Sequence, residues 1–215
     1  VNLLATVNFE EDTASTIHLK TRGTNFLQKA RGKHQNNRSL VTPPFILGLE
    51  FAGTVLSTAA NSKYSPGDRV FGGSIGSYAE QISVKEDNLH HIPKHWDFAD
   101  AAALAATAPV SYGALVLRGG LKKGEVVLIH AAAGGLGLMA VQIAKAVEAR
   151  VIATAGSKQK LDVAKQFGAD ETVNYSSNDD WWKEVMELTE GISGVDVVFD
   201  PVGLVVGNFL NARPA

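Results

Sequence analysis

The 215-residue chain contains no cysteine. That excludes a disulfide framework, a thiolate nucleophile and any zinc site that uses cysteine. It also lacks an excess of charge: the formal net charge is −2, which gives no reason to expect a nucleic-acid or membrane-surface partner. No apolar run approaches the roughly 20 residues of a membrane span. The start has no basic-then-apolar layout of a secretory signal. It begins with Val1 rather than methionine, and a trimmed or fragmentary start is expected. With 45% apolar residues, the expectation is a soluble globular protein located in the cytoplasm, with the mitochondrion as the alternative.

Two halves differ in texture. From Val1 to Leu104, short β-type runs (STIHLKT, FAGTVLST, DRVFGG, SYAEQISV) are separated by the turn chemistry of TPPF, SPGD and GGSIG, which predicts a mostly-β, barrel-like domain. From Ala105 to Ala215 the rhythm becomes strand, helix, strand, helix. VVLIH, RVIAT, ETVNY and VDVVFD read as strands, and this alternation predicts a parallel sheet covered by helices. Between the strands, the spacing predicts a helix over Gly137–Ala149 with Met139, Ile143 and Val147 on one stripe. KQKLDVAKQFG predicts a second, with Leu161, Ala164 and Phe167 inward and Gly168 as its stop. Asp179 and Asp180 are expected to cap WWKEVMELTEG, which ends at Gly191.

The stretch VVLIHAAAGGLGLMAVQIAKA carries the first chemistry. Ala132, Gly134 and Gly137 occupy the three positions of G-x-G-x-x-G, with alanine in the first. A first βα turn needs small residues so that backbone N–H groups can approach a pyrophosphate, and the helix N-terminus favours the anion. An NAD site usually offers an acid about 20 residues after the motif. Here no acid stands between Ala149 and Leu161, and Ser157, Lys158 and Lys160 occupy that region. A hydroxyl and cations suit a 2′-phosphate, and lysine near a helix N-terminus is unfavourable without an anion. NADPH is favoured over NADH. The cluster His90, His91 and His95 lacks a carboxylate partner at sensible spacing and reads as surface. His130, closing the first strand, reads as a core histidine.

The runs TNFLQKARGKHQ, PPFILGLEFAGTV, PGDRVFGG, GSYAEQISV, AAALAATAPVSYGAL, HAAAGGLGLMAVQIAKA, VIATAGSKQKL, FGADETVNY and GVDVVFDPVG resemble the zinc-independent medium-chain dehydrogenase/reductases, most closely the quinone oxidoreductase-like (zeta-crystallin-like) branch. The resemblance implies an α/β protein: an N-terminal GroES-like mostly-β domain (residues 1–104) followed by a partial Rossmann doubly wound parallel sheet (residues 105–215), with the active site in the cleft between them. It implies NADPH as cofactor and a small-molecule electron acceptor, a quinone or an α,β-unsaturated carbonyl. Zinc-bearing relatives carry Gly-His-Glu where this chain has Gly48, Leu49 and Glu50. Leucine cannot ligate a metal, and no metal is expected.

Carried over by resemblance, Asn25 matches the asparagine at the floor of the cleft, a catalytic and cofactor-binding position. Thr107 matches a position near the nicotinamide. Ala133, Gly134, Gly135 and Leu136 match the pyrophosphate loop. Gly156, Ser157 and Lys160 match the 2′-phosphate site, and Tyr175 a tyrosine at the same end of the cofactor. Asp200 to Gly203, Val202 among them, match the turn after the fourth strand. The family's G-x-Y is Gly32, Lys33 and His34 here, so a substrate-side aromatic is lost, while His34 retains a hydrogen-bond donor as a candidate catalytic group. The family's proline after the AAAL run is Ala105.

Only PVGL separates Asp200 from Val205 and Val206, whereas a parallel strand needs a crossover of a dozen or more residues. A truncated or exon-skipped member with an incomplete nicotinamide pocket is expected. Its lost edge contacts would expose apolar surface, with weak stability or a homo-oligomer as the consequence. The expected function is zinc-independent NADPH-dependent reduction of a quinone or enone. Enoyl-thioester reduction and a non-catalytic NADPH-binding or structural role are the alternatives. Short-chain dehydrogenase chemistry is disfavoured because Tyr-x-x-x-Lys occurs nowhere.

Overall fold

A computed structural model describes residues 4–8, 46, 48–189 and 194–203, the first five through their backbone. Two compact units divide the chain, Val1–Ala106 and Thr107–Ala215. Asn25, His34, the STIHLKT run, Gly191, Val205 and Val206 lie outside the described residues. No helix among the described residues is long and apolar enough to cross a membrane.

In the first unit, β1 (Leu4–Asn8), β2 (Glu50–Thr58), β3 (Arg69–Gly73), β4 (Gln81–Lys85) and β5 (Leu89–His91) form one antiparallel sheet in the order β4-β1-β2-β3-β5. The FAGTVLST and DRVFGG runs are strands as expected, and SYAEQISV narrows to β4. Side chains alternate across a strand, and both faces of β2 are used. Phe51 and Val55 join Tyr64, Val70, Val84 and Leu89 in one core. Ala52 points the other way, against Phe98, Ala101 and Ala102 of the short helix α1 (Phe98–Ala102). His90, His91 and His95 are exposed, in agreement with their surface reading.

The second unit opens with α2 (Thr107–Tyr112), which continues as a π-helical turn over Gly113–Arg118. Then β6 (Val126–Ile129), α3 (Gly135–Ala146), β7 (Arg150–Ala155), α4 (Lys158–Gln166), β8 (Glu171–Asn174), α5 (Trp181–Leu188) and β9 (Val197–Phe199) alternate. The four strands are parallel in the order β8-β7-β6-β9. Numbered from β6, that is 3-2-1-4, the beginning of the Rossmann order, and its switch point lies between β6 and β9. The sheet is covered on both faces. Val127, Ile129, Val151 and Ala153 face Ala140, Val141 and Ala144 of α3 and Ala164 of α4. Val126, Leu128, Ile152 and Val173 face Trp181 and Val185 of α5. Each such buried valine, leucine or isoleucine contributes about 1.5–3 kcal/mol, which is why β6 is apolar at four successive positions.

Four local expectations are corrected. The buried stripe of α3 is Gly137, Ala140, Val141 and Ala144, with Met139, Ile143 and Val147 at its margin, because the close approach of helix to sheet selects small side chains. That helix also stops earlier than Ala149. Glu148 takes φ 63°, and the Glu148 and Ala149 N–H groups bond back to Lys145 O and Ala144 O, a Schellman ending without glycine. Gly168, at φ 111°, ends α4 in the same way, but Phe167 is 42% exposed and not part of the inward stripe. Finally, neither aspartate caps α5 through its side chain. Asn178 accepts from Asp180 N–H through Oδ1 and from Trp181 N–H through its carbonyl, while the Asp180 carboxylate pairs with Lys183.

Candidate active site at the carboxyl edge of the parallel sheet

The chain leaves β6 through His130, which is 2% exposed. Its Nδ1 lies 2.7 Å from Thr154 Oγ1 on β7, and its ring meets Trp181 edge-on. The His130 backbone N–H donates to Phe199 O, which ties the strand end to β9. Burial pushes this imidazole below the ordinary histidine range, against the opposing pull of the Asp200 carboxylate. His130 is therefore a packed, neutral core group, as its position in the sequence suggested.

Ala131 then adopts φ 49°, a left-handed conformation that costs a non-glycine residue about 1–2 kcal/mol. This reverses the chain direction, and Gly134 N–H closes the turn onto Ala131 O at 2.9 Å. Ala132, fully buried, donates to Thr154 O. Gly134 is the N-cap of α3, and the first helical bond runs from Leu138 N–H to Gly134 O at 2.8 Å. The N–H groups of Gly135, Leu136 and Gly137 precede that bond and have no partner within the helix. Gly137 is required by packing: a Cβ there would lie 2.7 Å from Ala132 Cα and closer still to Ala131 O. These donors, on a helix end of positive potential, form a cradle of the kind that accepts a phosphate.

Thr107 joins this turn from α2. Its methyl group would stand 3.5 Å from a Cβ at Gly135. Four residues further along the helix, the buried Ser111 hydroxyl donates to Leu136 O at 2.9 Å. The sequence reading missed Ser111; a lone serine within an apolar helical run was its signal.

At the end of β7 the backbone is bare at Gly156. A Cβ there would meet Ser176 Oγ at 2.9 Å and the Tyr175 ring and hydroxyl at 3.1 Å. Tyr175, 40% exposed, thus lies over Gly156 rather than in a core. Ser157 caps α4 by accepting from Lys160 N–H at 3.4 Å. Lys158 is engaged with Asp162, four residues on, at 2.7 Å, whereas Lys160 makes no ion pair among the described residues. After β9, Asp200 Oδ1 accepts from both Val202 and Gly203 N–H at 2.9 Å. Thr107, Ala133, Gly134, Gly135, Leu136, Gly156, Ser157, Lys160, Tyr175 and Val202 therefore fall on or beside the carboxyl ends of β6, β7, β8 and β9, the edge at which open α/β sheets bind ligands. In the first unit, Leu49 is half exposed, and Glu50 Oε2 accepts from Ala106 N–H at 2.7 Å.

Comparison with known proteins agrees with this geometry. Residues 15–94 match the alcohol dehydrogenase GroES-like domain, and residues 135–212 match the zinc-binding dehydrogenase domain. Quinone oxidoreductase-like protein 2 of Rattus norvegicus is 41% identical over 190 residues, covering 84% of this chain and 52% of the relative. The quinone oxidoreductase of Escherichia coli, solved in complex with NADPH, superposes with a TM-score of 0.74 at 27% identity, over 97% of this chain and 60% of that one. The CurK enoyl reductase structure gives a TM-score of 0.70 at 29% identity, over 93% of this chain and 59% of that one.

The chain belongs to the medium-chain dehydrogenase/reductase family, with a GroES-like N-terminal domain and a Rossmann-like parallel sheet. Within that family its similarity is to the quinone oxidoreductase-like members. It spans about half the length of the curated relatives it matches.

Proposed function

We propose that this chain binds NADPH and acts as a zinc-independent oxidoreductase on a quinone or another α,β-unsaturated carbonyl. The observation that carries the reading is the pairing of two features on one sheet edge. A glycine turn offers free N–H groups at the head of α3, and the segment after β7 offers Gly156, Ser157 and Lys160, joined over Gly156 by Tyr175 from the end of β8, with no acid among them. The residues fit the cofactor. Gly137 brings helix and strand too close for a side chain, which exposes the backbone donors to a pyrophosphate. Lys160 and the Ser157 and Tyr175 hydroxyls suit a 2′-phosphate through charge-assisted hydrogen bonds.

When bound, NADPH supplies a hydride to the conjugated acceptor, and solvent supplies the proton. The part of this chain is to hold and orient. Gly135, Leu136 and Gly137 would hold the pyrophosphate by their N–H groups. Thr107, beside Gly135, and Val202, after β9, would border the nicotinamide end; Asn25 and His34, outside the described residues, are proposed from the family resemblance as acceptor-side groups. Zinc independence rests on Leu49, which has no donor atom, and on Glu50, already engaged with Ala106 N–H.

The similarity to an enoyl reductase favours enoyl-thioester reduction as a second reading. The test is nucleotide binding by calorimetry, followed by NADPH oxidation with a small quinone and with an enoyl thioester. Turnover of the quinone supports the first reading and turnover of the thioester alone the second. Binding without turnover of either leaves a non-catalytic NADPH-binding protein, and absence of binding removes all three. Lys160→Ala is expected to weaken NADPH about tenfold, the equivalent of one charge-assisted hydrogen bond at an exposed site, with little change for NADH. Equal losses would refute the phosphate assignment.

A further inference from the structure

We infer that Ser176 is a further determinant of nucleotide specificity, acting as a direct ligand of the 2′-phosphate. The inference rests on the NADPH reading above and adds to it a residue from the turn after β8, beside the Tyr175 already assigned there. Three observations carry it. The point where a Cβ of Gly156 would sit lies 2.9 Å from Ser176 Oγ and 3.1 Å from the Tyr175 hydroxyl. Both hydroxyls therefore converge on the bare end of β7, where an NAD-type chain places its acid. A side chain at 156 would displace both hydroxyls, so glycine at this position lets them rest on the strand end.

The Ser176 backbone is held in place by its own turn. Its N–H donates to Asn174 Oδ1 at 3.0 Å, and Ser177 Oγ donates to Asn174 O at 2.9 Å. The Ser176 hydroxyl itself is exposed, and among the described residues it makes no hydrogen bond, which leaves both its proton and its position available to a ligand. Lys158, the other nearby cation, is drawn toward Asp162 at 2.7 Å. The set facing the phosphate is thus one cation, Lys160, and a ring of hydroxyls from Ser157, Tyr175 and Ser176. A hydroxyl ring recognises phosphate oxygens by hydrogen bonding and is less sensitive to salt than a cluster of lysines.

The test is titration of NADPH and of NADH against the full chain and its Ser176→Ala, Ser176→Thr and Lys160→Ala variants, at low and high salt. Ser176→Ala is expected to weaken NADPH three- to tenfold and leave NADH within twofold, with equal loss at both salt concentrations. Ser176→Thr, which keeps the hydroxyl, is expected to retain most of the affinity. If Lys160→Ala weakens NADPH selectively and Ser176→Ala does not, Ser176 is no ligand while the NADPH reading stands. If Lys160→Ala changes both nucleotides alike, or the unaltered chain binds neither, the NADPH reading falls and this inference with it. An equal loss of both nucleotides in Ser176→Ala marks a structural role and overturns the assignment.

Discussion

A hydrogen atom in place of a methyl group decides the glycine turn at Gly137. A Cβ there would press on Ala131 O and Ala132 Cα, both backbone atoms that cannot rotate away. Gly137→Ala is expected to destabilise the chain by about 3 kcal/mol, the upper end of overpacking costs, measured by urea denaturation, and to abolish nucleotide binding. Gly113, in the π-helical turn, is the control, because nothing lies within 4 Å of its Cβ position. Gly113→Ala should gain about 0.5–1 kcal/mol by restricting the unfolded chain. A similar loss at both sites would mean that the turn is not close-packed. That Gly137 mattered was legible from its place in the motif. That the left-handed residue at the strand end is Ala131 was not, because alanine advertises no positive φ.

At the scale of elements, Asp170 joins helix to sheet. Its carboxylate accepts from Lys145 Nζ of α3 at 2.9 Å and from Val151 N–H of β7 at 2.7 Å. Burial acts to raise its pKa, but the hydrogen bonds from Lys145 and Val151 and the charges of Lys145 and Arg150 prevail, and the group sits below the ordinary carboxylate range. The folded state therefore favours the ionised form. The stability this contributes is complete above the pKa of the unfolded chain and is lost as pH falls through the lower, folded value. Asp170→Asn should lower stability at neutral pH and flatten the acid limb of a stability-versus-pH curve below about pH 4. A variant whose acid limb matches that of the unaltered chain would contradict this. The pairing was invisible in the sequence, because Lys145 and Asp170 meet only when α3 and β8 are both laid against β7.

At the scale of the molecule, each unit buries its own apolar groups. Phe51, Val55 and Val70 do so in the first, and Val127, Ile129 and Val151 in the second. Nucleotide-linked stabilisation should then fall on the transition of Thr107–Ala215, which carries the glycine turn. At a hundred times its Kd, NADPH is expected to add about 2.7 kcal/mol to that transition. Differential scanning calorimetry with and without nucleotide reads it. A shift confined to another transition would place the nucleotide elsewhere.

The sequence by itself determined the class of fold in each unit. Apolar alternation at period two and near four dictates strands and helices. Small residues between a strand and a helix dictate a close turn, and the absence of an acid after β7 is a local fact of composition. Which residues face inward on α3 and how Tyr175 and Ser176 come to lie over Gly156 were decided only by tertiary structure. Those outcomes depend on distances between separate elements, set when parallel strands align and helices settle on them. Local pattern carries the periodicity of each element, but contact between elements is a property of the packed sheet.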